Sequence, residues 1–152
     1  MSGRSKASKG RPPEGMRVAI EVDIPSDVRY IDHIVRLVTR ECEDQQFPPR
    51  LCSLNVPVAL TEALSNAILR GNAEDPGKYV RVRVAFTERQ LVLEVTDEGN
   101  GFDLDSSLID PTTPDNLMRE DGRGLFLMKK LMDRVERFSD EGNVVRLTLN
   151  RT

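Results

Sequence analysis

The chain has 152 residues, of which 38% are hydrophobic and 31% are charged, and its net charge is −3. This length suits one domain, and this composition suits a soluble globular protein with a hydrophobic core. The sequence shows neither an apolar run near twenty residues nor an apolar N-terminal stretch, so we expect no membrane span and no secretory signal.

The two cysteines, Cys42 and Cys52, do not have the spacing of a metal site. A pair of this kind without a disulfide framework is typical of reduced thiols in a cytoplasmic protein.

The N-terminal residues differ in charge from the rest. The first 13 residues, "MSGRSKASKGRPP", carry four basic side chains and no acidic one, which leaves −7 for the remainder. Their Ser, Gly, Pro and Lys content predicts a disordered basic tail over 1–15, followed by one domain over 16–152. Because the charges are few, no aromatic residue lies among them and the body is acidic, we expect no direct binding of nucleic acid.

The first predicted elements are a strand and a helix. Segment 16–25 alternates apolar and polar residues, which predicts a half-buried strand. Apolar residues then recur at helical spacing in "SDVRYIDHIVRLVTRECED", which predicts the first helix.

A second helix is predicted at about 55–70, after the break at "QQFPPR". Asn55 can cap its start, Pro57 is tolerated in a first turn, and Gly71-Asn72 is a typical stop.

The second half of the chain predicts two hairpins separated by a loop and a helix. Segments 79–86 and 91–97 alternate cleanly around a short connection. Residues 102–121 lack periodicity, as in a lid or a disordered loop. "GRGLFLMKKLMDRV" becomes a helix, and the last hairpin turns at "DEGN". This order predicts an α+β fold, a two-layer sandwich whose mostly antiparallel sheet is covered on one face by helices.

Two polar side chains of the second helix lie on one face. Glu62 and Asn66 are four residues apart. A carboxylate beside an amide oxygen suits a magnesium ion that takes its other ligands from water and phosphate. An exposed pair, or a buried asparagine bonded to backbone, explains the same spacing.

Glycines mark two further places. In "TDEGNGFDLD", Asp97 ends a strand, and Gly99 and Gly101 let the backbone approach a flat or charged group. Gly122 and Gly124 precede a predicted helix, where exposed N–H groups favour an anion. A tight turn explains these last two glycines equally well.

The three motifs together, in this order, resemble the N box and the two glycine boxes of the GHKL ATPase superfamily, whose ATP-binding module is the Bergerat fold. The resemblance covers roughly 16–150. The segments "LTEALSNAILRGN", "VTDEGNGFD" and "GRGLFLMKKLMD" are most similar to the anti-sigma factor serine/threonine kinases of the RsbW and SpoIIAB type.

The resemblance implies a role for each matching position. Glu62 matches the general base, Asn66 the Mg²⁺ ligand, and Asp97 the acceptor of the adenine amino group. Segment 102–121 matches the ATP lid, and Arg119 or Arg123 could approach the γ-phosphate. The implied cofactors are ATP and Mg²⁺. The other implied ATP-binding residues are Gly99, Gly101, Phe102, Gly122, Arg123, Gly124 and Leu125.

The implied function is a protein serine/threonine kinase that binds a sigma factor and phosphorylates an anti-anti-sigma protein of the STAS type. Relatives commonly form homodimers. A catalytically weak, nucleotide-gated anti-sigma or adaptor module is the alternative, and the presence of Glu62 favours the kinase. A histidine kinase fragment needs a phospho-accepting histidine on a dimerising helix, whereas His33 lies inside the first helix of this domain.

Two positions depart from the pattern of the relatives. Arg70-Gly71-Asn72 stands where many carry His-Gly-Asn. Gly142-Asn143-Val144 stands where relatives often show Gly-Gly-Thr, so the threonine hydroxyl that could help at the adenine site is missing.

Overall fold

The structure is a computed structural model that describes residues 16–99 and 120–152. The predicted basic tail, Gly101, Phe102 and the lid as far as residue 119 lie outside the described residues.

Five strands lie in this part of the chain, namely β1 (Arg17–Pro25), β2 (Tyr79–Phe86), β3 (Gln90–Asp97), β4 (Arg134–Ser139) and β5 (Asn143–Asn150). They form one antiparallel sheet with the spatial order β1-β2-β3-β5-β4. The first three were predicted from alternation, because successive side chains of a strand point to opposite faces of the sheet. The last two were predicted as a hairpin that turns at "DEGN".

Three α-helices in the described residues complete the domain, namely α1 (Ile31–Asp44), α2 (Val56–Ser65) and α3 (Glu120–Leu131). A 3₁₀ turn, Val28–Tyr30, precedes α1. The wider π-helical segments Leu51–Asn55 and Asn66–Gly71 extend α2 at its two ends. Helix α2 packs against both α1 and α3.

The core lies between the helices and one face of the sheet. In register, Val82 faces Val95 across β2 and β3, Val84 faces Leu93, and all four are almost fully buried. Leu60 and Leu64 of α2 are fully buried in the same cluster. The predicted α+β two-layer sandwich is therefore confirmed, and α2 is its central helix.

By length and composition alone, the 21-residue segment Leu51–Gly71 could cross a membrane. The same test is passed by the core helices of soluble proteins, and this segment packs against the sheet and two helices.

Two helix starts differ from the predictions. Asn55 does not cap α2, because helical structure already begins at residue 49. Its side-chain amide instead donates a hydrogen bond of 2.7 Å to the Leu131 carbonyl at the end of α3. Helix α3 begins at Glu120, so Gly122 and Gly124 lie inside its first turns rather than ahead of it.

The two cysteines are free thiols that lie in contact in the core. The Cys52 thiol donates to Cys42 Sγ at 2.8 Å, and the side chains are 1% and 0% exposed, respectively. Burial, followed by the hydrogen bond from Cys52, raises the pKa of the Cys42 thiol far above its usual range.

Because both thiols are buried, we expect them to react with dithionitrobenzoate in the folded protein only as fast as the protein opens. Unfolding in urea should expose both thiols to the reagent. The rate of thiol labelling is measured by stopped-flow absorbance. Ser53→Cys, at an exposed neighbouring position, is the control, and its new thiol should react at once. Rapid labelling of Cys42 or Cys52 in the native protein would contradict the expected protection.

Candidate functional site

The continuous helical run Leu51–Gly71, which contains α2, is called the α2 segment below. Glu62 and Asn66 lie one turn apart on this segment, and both are partly exposed. Gly124 of α3 packs directly against them. A β-carbon placed on Gly124 would lie 2.7 Å from Glu62 Oε1 and 3.8 Å from Asn66 Nδ2. The absence of a side chain at Gly124 therefore lets the start of α3 come to within contact distance of the carboxylate and the amide.

The helix that carries these two side chains widens at Asn66. From Asn66 to Gly71 its turns are π-helical, and the Asn72 N–H continues the pattern with a 2.8 Å bond to the Ala67 carbonyl. Such wide turns are rare in proteins and frequently occur at functional sites. Here the wide turns place the helix end, Gly71, against the carboxylate of Asp97, where a β-carbon on Gly71 would overlap that group.

Asp97 is the last residue of β3 and is only 4% exposed. Its Oδ1 atom accepts hydrogen bonds from the Gly99 N–H at 3.0 Å and from Asn143 Nδ2 at 2.8 Å. Its Oδ2 atom lies against Gly71 and accepts no hydrogen bond from the described residues. A buried carboxylate with one unused acceptor can bind a donor from a ligand.

A buried asparagine holds the residue that follows Asp97 and links it to two other strand ends. The Asn72 side chain accepts from the Glu98 N–H at 2.8 Å and donates to the Tyr79 carbonyl at 3.0 Å and to Ser26 Oγ at 2.9 Å. Gly99 is packed so closely on the Gly71 carbonyl that any side chain at Gly99 would overlap it. The loop after Asp97 is thus held on the end of the α2 segment.

A family model described as the histidine kinase-like ATPase domain matches residues 24–149. This stretch includes every element of the site. The chain belongs to the histidine kinase-like ATPase family.

Relatives within this family are serine-protein kinases and anti-sigma factors. The chain is 31% identical over 134 residues to serine-protein kinase RsbW of Bacillus subtilis, covering 85% of this chain and 83% of the relative. It is 34% identical to the RsbW of Bacillus velezensis over the same shares of both chains. It is also 27% identical over 110 residues to the anti-sigma F factor of Clostridium beijerinckii, with shares of 70% and 76%.

Other residues predicted for the ATPase site lie on α3. Gly122 is in its first turn, and the Arg123 side chain is exposed. Leu125 is 4% exposed and belongs to the hydrophobic core, so its side chain packs the helix on the domain. Arg70, at the departure from the relatives' pattern, is exposed on the last turn of the α2 segment.

Sequence reasoning missed the contact between Asn143 and Asp97 in this ATPase domain. It treated position 143 only as a departure, although Asn143 is the residue of β5 that pairs with Asp97 of β3. The sequence carries no direct signal for this contact, because β3 and β5 are neighbours in the sheet but are not joined by a turn that would fix their register.

Proposed function

We propose that this protein is an ATP-dependent protein serine/threonine kinase that acts as an anti-sigma factor in the cytoplasm. Its proposed partners are a sigma factor and an anti-anti-sigma protein of the STAS type, the latter being the phosphorylation substrate. Membership of the ATPase family and the names of the relatives support this function. A homodimer stays a prediction.

The observation that carries the proposal is the approach of Gly124 to both Glu62 and Asn66. Two of the three motifs therefore contact each other through α2 and α3, and Gly71, at the end of the same helical run, contacts the third motif at Asp97. We infer that the acidic, amide and backbone N–H groups of these motifs line one site, as phosphoryl transfer requires for positioning and charge balance.

The donor set fits a magnesium ion that is shared with a nucleotide. In residues 16–99 and 120–152 no group of three His, Cys, Asp or Glu side chains could hold a metal alone. The amide oxygen of Asn66 would therefore be a protein ligand beside phosphate oxygens and water, an arrangement that Mg²⁺ favours. When bound, the ion supplies positive charge to the phosphates.

Each group of the site would then have a separate role in phosphoryl transfer. Asp97 would accept a hydrogen bond from the adenine amino group, and the N–H groups of the first turn of α3 would bind phosphate oxygens. Glu62 would orient the hydroxyl of a serine or threonine of the protein substrate and accept its proton.

The test is incubation of the protein with labelled ATP, Mg²⁺ and a candidate anti-anti-sigma protein of the STAS type. Transfer of label to a serine or threonine of that protein supports the kinase. A substrate variant with alanine at the labelled position is the control. Tight ATP binding without transfer would instead support the nucleotide-gated adaptor, and no binding of ATP would refute both.

Asp97→Asn is expected to weaken ATP binding by about 10–100-fold. Gly99 and Asn143 both donate to Oδ1, so the asparagine oxygen would take that position and its NH₂ group would replace Oδ2. That NH₂ group would then face the amino group of adenine, a donor against a donor, whereas it suits a 6-oxo purine.

Calorimetry measures the affinity of Asp97→Asn for ATP and for inosine triphosphate. Affinity for inosine triphosphate should be retained or increased in Asp97→Asn. An unchanged affinity for ATP would remove Asp97 from the adenine site.

A further inference from the structure

The two oxygens of the Asp97 carboxylate have different surroundings. Oδ1 accepts two hydrogen bonds, from the Gly99 N–H at 3.0 Å and the Asn143 amide at 2.8 Å. Oδ2 faces Gly71 and receives none from the described residues. A carboxylate held in this way cannot rotate freely without breaking two hydrogen bonds to a charged group, which are stronger than neutral ones.

Asn143 is well placed to hold this orientation. It is the first residue of β5 and pairs in register with Asp97. Its Nδ2 atom also donates to the Gly99 carbonyl at 2.9 Å, so both of its N–H groups are used on the segment from 97 to 99.

The backbone just before Asn143 is shaped for this approach. Gly142 has φ of +141°, in the region that side chains disfavour. A β-carbon on Gly142 would lie 2.6 Å from the Asp97 carbonyl oxygen. Gly142 thus lets β5 begin against the end of β3, which brings the amide of Asn143 to the carboxylate.

We propose that Asn143 is a positioning residue that determines base specificity: by fixing Oδ1 of Asp97, it presents Oδ2 to the 6-amino group of adenine. The inference rests on the proposed function, because it assigns a role within the same ATP site.

A purely structural Asn143 and a positioning Asn143 make different predictions. Loss of the bond to the Gly99 carbonyl would loosen the loop and weaken every nucleotide alike. Loss of the bond to Asp97 Oδ1 would weaken ATP, which needs the oriented acceptor, more than inosine triphosphate, which carries an oxygen in place of the amino group.

The experiment is calorimetric titration of ATP and inosine triphosphate, each with Mg²⁺, into wild type, Asn143→Leu and Asn150→Leu. Leucine has a similar size but no donor. In Asn143→Leu, ATP affinity is expected to fall roughly tenfold, while inosine triphosphate falls by less than about threefold. Asn150, an exposed amide at the other end of β5, is the control, and its variant should match wild type for both nucleotides.

A second pair of variants keeps the test sharp if Asn143→Leu does not fold. Asn143→Gln and Asn143→Met have side chains of the same length, and only glutamine has an amide donor. The glutamine variant should keep the preference for ATP, and the methionine variant should lose it. Equal losses for both nucleotides, or an unchanged preference in Asn143→Leu and Asn143→Met, would overturn the inference while the ATP site stands. No ATP binding by wild type would instead refute the proposed function and this inference with it.

Discussion

Glu62→Gln is expected to slow phosphoryl transfer to the protein substrate by about 10²–10⁴-fold, which is the usual contribution of a side chain that accepts a proton in the transition state. Glutamine keeps the size of glutamate but cannot accept that proton. This matters because Oε1 of Glu62 lies against Gly124, so a smaller side chain would also open space between α2 and α3. ATP affinity should stay within about threefold of wild type, since the lost interaction forms mainly in the transition state.

Single-turnover transfer of labelled phosphate, together with calorimetric ATP binding, separates the two effects. Glu43→Gln, at an exposed position near the end of α1, is the matched control and should retain full activity. If Glu62→Gln transfers phosphate at the wild-type rate, Glu62 is not the base. If it loses ATP binding as well, Glu62 serves the fold or the nucleotide rather than the chemistry.

The sheet was predictable from the sequence because each strand carries its own signal. Alternating apolar residues mark β2 and β3, and the inner face that they predict is the face that packs on the helices, as Val82 and Val95 show. The order of strands and helices then left few two-layer arrangements, so the fold class followed as well.

Helix starts were less predictable, because tertiary contacts compete with local ones. Asn55 has the side chain of a good cap, but its amide bonds to the Leu131 carbonyl of α3, 76 residues away. The wide turns from Asn66 to Gly71 leave the apolar stripe intact, since Ala67 and Ile68 are still buried. Periodicity alone therefore could not distinguish them from ordinary α-helix.

The polar contacts of the candidate site could not be obtained from motifs. The motifs predicted that Glu62, Asn66 and Gly124 belong together, and the structure brings them together. The motifs do not indicate which other residues contact the motif residues and hold them in position. The contact of Gly71 with Gly99 and the bond between Asn143 and Asp97 depend on how β3, β5 and the α2 segment meet.

Asn72 is the support whose loss should cost most in stability. Asn72→Leu is expected to lower the free energy of unfolding by about 3–5 kcal/mol, because the buried groups that it satisfies would be left without partners. The side chain is 1% exposed and bonds to Ser26, Tyr79 and the Glu98 N–H, so it joins the ends of β1 and β3 to the start of β2.

Urea unfolding followed by circular dichroism measures this loss. Asn150→Leu makes the same substitution at an exposed position and should change the free energy by less than about 0.5 kcal/mol. A loss below about 1 kcal/mol in Asn72→Leu would mean that water replaces these bonds. In that case the loop after Asp97 would be held mainly by the contact between Gly71 and Gly99.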